Sequence, residues 1–236
     1  MPPLTIAENL SRIHERIALA AARANRKPEE ITLMGVSKTH PADVIREAHA
    51  AGLRHFGENR VQEWEGKRAA LADLAPSCTF HLIGHLQSNK AARAAKYFDR
   101  VDSVDDFSLA QKLDRAAAEK SPSTKLPVLL EVHIGGEESK SGVAESGLTS
   151  LAEQVLVLPH LSFQGLMCIP PFSENPEEAR PFFAKLRSLQ EGLRSQLRCK
   201  LPVLSMGMSH DFEIAIEEGS TEVRVGTALF GTRPSL

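Results

Sequence analysis

Along the first turns of the chain, apolar residues recur at helical spacing. Ile6, Leu10, Ile13 and Ile17 fall at steps of three and four, with Glu8, Arg12, Glu15 and Arg16 between them. This predicts an amphipathic helix within residues 1–27, and Thr5 with Glu8 three positions on is a capping-box signature. After Pro28 the pattern changes. Short apolar runs read as buried strands: ITLMGV (31–36), RHFGE (54–58), TFHLIG (79–84), RVDSV (100–104), PVLLEVHI (127–134), LSFQGLMCI (161–169), PVLSMG (202–207) and EVRVGTALF (222–230). Helical patterns lie between them, at 41–51, 60–75, 89–98, 105–120, 144–158, 175–198 and 211–218. Strands alternating with helices make βαβ units and a parallel sheet. Eight strands are the number that closes a (β/α)8 barrel, and 236 residues suit one such domain. An open doubly wound sheet is the other solution, but G-x-G-x-x-G and G-x-x-x-x-G-K-[ST] are both missing. The last strand runs close to Leu236, so the N-terminal helix is expected to cover the side where a closing helix would pack.

Composition narrows the function classes. Twenty-eight Lys and Arg against thirty Asp and Glu give a net charge of −2, which argues against a broad basic face for nucleic acid. No run approaches the ~18 apolar residues of a membrane span. The N-terminus lacks the basic and apolar regions of a signal peptide, so the expected location is the cytoplasm. Cys78, Cys168 and Cys199 are odd in number and form no C-x-x-C pair, so they read as reduced structural thiols.

In a barrel, chemistry belongs where strands end at their C-terminal side. Lys38 ends an otherwise apolar strand, where partial desolvation favours the neutral, nucleophilic amine. A lysine just past a strand also serves as a salt-bridged or snorkelling side chain. Gly207-Met208-Ser209 and Gly226-Thr227 lie after the seventh strand and near the end of the eighth, where this fold commonly binds phosphate. The same glycines also suit tight turns. A Schiff-base lysine and a phosphate cup in one mouth together point to pyridoxal 5′-phosphate (PLP), which carries an aldehyde and a phosphate. His81 and His85 do not form the helical H-E-x-x-H of a metalloprotease, and no metal site is expected. Glu137-Glu138 read as a solvated loop rather than a general-base site.

Several long blocks carry a family resemblance. LMGVSKTHPADVIREAHAAGLRHFGENRVQE, FHLIGHLQSNK, SKSG, GLMCIPP and LSMGMSHDFEIAIEEGSTEVRVGTALFG, spanning about residues 31–231, resemble the YggS/PROSC family of PLP homeostasis proteins. The resemblance implies one alanine-racemase-type barrel over 1–236, with PLP as an aldimine on Lys38 of V-S-K. It assigns further cofactor contacts to Asn59 of G-E-N, Ser209 of G-M-S, and Arg224, Gly226 and Thr227 of R-V-G-T. In the family the arginine faces the pyridine nitrogen and the other groups hold the phosphate. Lys140 of S-K-S-G matches a lysine on the active-site rim; Met167 and Gly207 lie in the matched blocks beside the site. His85 and Pro170-Pro171 fall where members vary.

A guanidinium stays charged and can only donate, so a pyridine nitrogen facing Arg224 is not expected to be protonated, which weakens the ring as an electron sink. Racemisation needs an acid–base group on each face. Racemases take the second from a C-terminal β domain for which this chain leaves no length, and the single tyrosine, Tyr97, falls late in a helix. The expectation is a monomeric carrier or buffer of PLP, passing it to apo-enzymes without efficient turnover. A low-activity racemase and a PLP-free Schiff-base enzyme are the alternatives.

Overall fold

The computed structural model describes residues 4–135 and 141–231. Helix α1 (Ile6–Arg23) precedes eight strands: β1 (Thr32–Val36), β2 (His55–Glu58), β3 (Thr79–Leu82), β4 (Arg100–Val104), β5 (Leu126–Glu131), β6 (Leu161–Met167), β7 (Val203–Ser205) and β8 (Glu222–Val225). The strands are parallel, pair in sequence order, and close when β8 pairs with β1 through Thr32–Glu222 to Gly35–Val225. Helices α2 (Ala42–Ala50), α3 (Val61–Arg68), α4 (Ala91–Tyr97), α5 (Phe107–Lys120), α6 (Glu145–Leu156), α7 (Arg180–Leu197) and α8 (Phe212–Glu217) follow β1 to β7 in turn. The fold is therefore the closed (β/α)8 barrel expected. Among the described residues, no helix is long and apolar enough to cross a membrane.

The apolar runs close the barrel because each strand must bury one face against helices and the other inside. One continuous apolar layer lies between strands and helices, with Phe56, Phe80, Phe98 and Leu166 among its members. Met34, Val36 and Ile83 form a separate buried cluster. Two-residue periodicity turns Met34 and Val36 to the face opposite Leu33, so this cluster plugs the barrel interior.

One predicted strand is corrected. EVRVGTALF leaves the sheet at Val225, and Thr227–Phe230 is a short helix, α9. Gly226 turns the backbone (φ −109°, ψ −81°), and its carbonyl then accepts from the N–H groups of Leu229 and Phe230, both at 2.9 Å. Beyond Val225 no ladder partner on β1 continues, so the chain bonds to itself. The TFHLIG and PVLLEVHI runs likewise end early, at Leu82 and Glu131. Helix α1 begins with the expected capping box: Thr5 N–H donates to Glu8 Oε2 (2.8 Å) and Glu8 N–H to Thr5 Oγ1 (3.2 Å). It packs along α8 and α9. Asn9 donates to the Leu229 carbonyl (3.0 Å), and Arg16 and Arg23 pair with Glu213 and Glu217 (2.6 Å each).

Candidate functional site

The loop after β1 carries Lys38, which is half-buried. Its neighbours are clamped by one charge network. Ser37 is fully buried, and its hydroxyl donates to Glu58 Oε1 at the end of β2 (2.8 Å). Lys67, from α3, donates to the same oxygen (2.8 Å), to the Ser37 carbonyl (3.1 Å) and to Glu63 (2.8 Å). Glu63 in turn accepts the N–H of Thr39, which sits in the left-handed region at φ +67°. Burial pushes the Glu58 carboxyl above its ordinary range, opposed by Lys67 and Ser37. Both residues flanking Lys38 are thus fixed by groups from β2 and α3. Asn59 follows Glu58 on the adjoining strand end, and its backbone carbonyl packs against Gly84, where an added Cβ would come within 2.4 Å.

On the other side of β1, the ends of β7 and β8 supply a second cluster. Arg224 is 3 % exposed and held rigidly: Nη1 donates to Ser205 Oγ and Nη2 to the Cys168 carbonyl, both at 2.7 Å. Met167 is fully buried and pairs in register with Ser205 across β6 and β7. The Cys168 thiol, buried, is pushed up to about 12 and stays a neutral packing group. Ser209 Oγ accepts from the backbone N–H groups of Gly226 and Ala228, each at 3.3 Å, which joins the β7 loop to the start of α9. Thr227 is exposed at that same turn.

The two glycines of this cluster differ. Gly207 lies at φ +93°, and a Cβ there would come within 2.5 Å of Ala215 Cβ and 2.9 Å of Phe212 Cα, so the fold itself requires glycine. Gly226 has negative φ, and a Cβ would meet only Val36, at 3.5 Å and beyond. Packing does not require glycine at 226.

The ends of β3, β4 and β5 form the acidic side of the mouth. His85 Nδ1 lies 3.5 Å from Asp105, which follows β4. Glu131 ends β5, is 4 % exposed, and accepts from Ser141 Oγ (2.9 Å) through Oε1. Burial pushes both carboxyls up; Ser141 opposes this at Glu131, and His85 at Asp105. Lys140 lies outside the described residues, as do Glu137 and Glu138. Among the described residues, no three His, Cys, Asp or Glu side chains are grouped as a metal ion needs.

The predicted residues therefore fall at the ends of five strands, with Ser209 and Gly226 bonded together and Lys38 and Asn59 on adjoining loops. Lys67, Ser205, Asp105 and Glu131 had not been singled out. Lys67 had only its helical phase as a signal, whereas Glu131 was visible as a charge closing an otherwise apolar strand.

The model of the alanine racemase N-terminal domain family matches residues 9–234. The pyridoxal phosphate homeostasis protein of Aquifex aeolicus is 47 % identical over 230 residues, covering 98 % of this chain and 99 % of its own. That of Pseudomonas aeruginosa is 48 % identical over 229 residues, covering 97 % and 96 %. The structure of PipY from Synechococcus elongatus, solved with PLP bound, superposes with a TM-score of 0.80 at 44 % identity, covering 93 % of this chain and all of PipY. The chain belongs to the pyridoxal phosphate homeostasis protein family, within the alanine racemase N-terminal domain fold.

Proposed function

We propose that this protein binds PLP at the mouth and serves PLP homeostasis as a reversible carrier or buffer, without efficient turnover. The observation that carries the reading is the convergence at the β7–β8–β1 edge. Ser209 Oγ gathers two backbone N–H groups beside the loop that bears Lys38. The residues fit the cofactor. Gly226 leaves backbone uncovered where packing asks for no glycine, which suits close approach of a phosphate to this turn, where Ser209 Oγ already holds the Gly226 and Ala228 N–H groups. Ser209 and Thr227 add hydroxyl donors. The cofactor supplies an aldehyde carbon that a lysine amine holds covalently and a phosphate that backbone N–H groups bind.

Lys38 is the covalent anchor, and the Ser37–Glu58–Lys67–Glu63 network orients the backbone that presents it. Arg224, fixed by Ser205 and the Cys168 carbonyl, offers a permanent donor to the pyridine nitrogen and keeps a proton off that atom. The family resemblance adds Asn59, Met167 and Gly207 to the site. A second-face base of the racemase kind is not supplied by Tyr97. Its ring packs under Arg68 (4.4 Å) and near Lys96 (5.3 Å), and its carbonyl accepts from Trp64, all on the outer helices. The protein would act as a cytoplasmic monomer that passes PLP to apo-enzymes.

The test is the absorbance of the purified protein with and without added PLP, followed by borohydride reduction. The expected result is a PLP band and irreversible cofactor trapping. A colourless protein whose spectrum does not change on adding PLP would shift the assignment to a PLP-free lysine enzyme. Enzymatic exchange of the alanine Cα proton with solvent deuterium would shift it to a racemase.

A further inference from the structure

The turn that joins β7 to α8 carries a charge that its geometry does not require. Met208 N–H donates to Asp211 Oδ1 (2.6 Å), and the Met208 carbonyl accepts from the N–H groups of Asp211 (3.2 Å) and Phe212 (2.9 Å). Ser209 lies within this turn and reaches across to the Gly226 and Ala228 N–H groups. Asp211 is 8 % exposed. It immediately precedes α8, yet its side chain makes no cap hydrogen bond to that helix. The carboxylate serves the turn that bears Ser209.

An acceptor is all that the Met208 N–H needs. Asn or Ser supplies one in a turn without a charge, and a buried carboxylate costs more to desolvate than either. Arg224, whose charge reaches Asp211 from β8, directs its hydrogen bonds to Ser205 and the Cys168 carbonyl instead. Burial pushes the Asp211 carboxyl above its ordinary range, opposed by the Met208 N–H, Arg224 and His210. Ser209 directly follows Met208, a Cα-to-Cα step of about 3.8 Å. An anion held at Ser209 and the β8–α9 turn thus lies within several ångströms of this carboxylate. Like charges at that range repel strongly where water is largely excluded.

We propose that Asp211 sets how readily the phosphate leaves: its carboxylate fixes the Ser209 turn and at the same time repels the bound phosphate group. The proposal rests on the carrier reading above and names the residue that keeps the cofactor exchangeable. The repulsion needs a second anion, so it acts on a ligand that carries the phosphate and not on the ring and aldehyde alone.

The experiment compares Asp211→Asn and Asp211→Ser with the wild-type whole chain, in absorbance titrations with PLP and with pyridoxal, which has the same ring and aldehyde and no phosphate. Both substitutions remove the charge and keep an acceptor for the Met208 N–H, so either serves if the other does not fold. PLP affinity should rise by about five- to tenfold, mostly through slower release. Pyridoxal affinity should change by less than about twofold. Unchanged or weakened PLP affinity in the folded variants would overturn the proposal. An equal gain for pyridoxal would also overturn it, since a purely structural role moves both ligands alike. A wild-type protein whose spectrum does not respond to PLP would overturn the carrier reading, and the proposal with it.

Discussion

The two ends of the barrel are both polar, and they differ in what their charges touch. At the N-terminal end, Arg100 donates to both Asp102 oxygens (2.6 and 2.8 Å) and to both Glu222 oxygens (2.6 and 2.7 Å). His55 and His81 bond to each other at 3.2 Å, with His81 Nδ1 4.0 Å from Asp102. Arg100 and its two carboxylates thus pair among themselves, while His81 Nδ1 has no hydrogen-bond partner among the described residues. At the mouth, Arg224 leans on a hydroxyl and a carbonyl, and one oxygen of the Glu131 carboxylate has no hydrogen-bond partner among the described residues. The cavity at the N-terminal end, about 410 Å³, is larger than the one beside Glu131. Size therefore does not mark the functional end. The N-terminal end spends its charges on one another, whereas Arg224 at the mouth is held by neutral groups.

The comparison predicts that the closed end is the costlier one to disturb. Arg100→Leu strands two buried carboxylates and should lower stability by about 3–5 kcal/mol in urea unfolding. A loss under 1 kcal/mol would mean that the network contributes little. Lys67→Met should lower stability by about 2–3 kcal/mol, since Glu58 is fully buried. It should also slow covalent trapping at Lys38, because the loop loses its clamp. Adding Glu58→Gln should restore much of the stability. If the double variant is no more stable than Lys67→Met, the unpaired carboxylate is not the cause.

The glycine pair gives a finer test at the open end. Gly207→Ala should destabilise by more than about 1 kcal/mol, from positive φ and contact with the Phe212 backbone. Gly226→Ala should cost less than about 1 kcal/mol and still weaken PLP retention. Equal stability losses in the two would contradict the contrast drawn between them.

The smallest effect concerns pH. Burial pushes the Asp102 carboxyl up to about 6 from 3.8, against the pull of Arg100. The folded protein then holds the Asp102 proton more tightly than the unfolded chain does. This residue therefore makes stability fall as pH rises from about 4 to about 6, with no further change above. Asp102→Asn should remove that part of the slope in denaturant titrations. Glu58, Asp105, Glu131 and Asp211, pushed up in the same direction by burial, should leave a slope of the same sign.

Much of this was legible in the sequence. The runs from ITLMGV to PVLSMG announced buried parallel strands because strands covered on both faces are nearly continuous in apolar residues. The places of Lys38 and Ser209 at one mouth were legible because strand ends locate it, whereas Arg224 entered through the family resemblance. The Thr227–Phe230 helix was not, since T-A-L-F is as apolar as a strand and only the loss of ladder partners beyond Val225 decides its state. Arg100 and Asp102 did leave a trace. They alternate on one face of a buried strand, a pattern that puts charges inside a barrel. Their partner Glu222 lies 122 residues from Arg100, and such pairings come only with closure. The Lys67 clamp was hidden for the same reason: it joins α3 to the ends of β1 and β2 through side chains that no local pattern connects.

The central claim is that Lys38 is the covalent anchor of PLP. Its most direct test is peptide mapping of the holoprotein after borohydride reduction, run beside Lys38→Ala. The account predicts the reduced cofactor on the peptide containing Lys38 and none trapped in the variant. Trapping on another lysine of the wild-type protein, or undiminished trapping in Lys38→Ala, would contradict it.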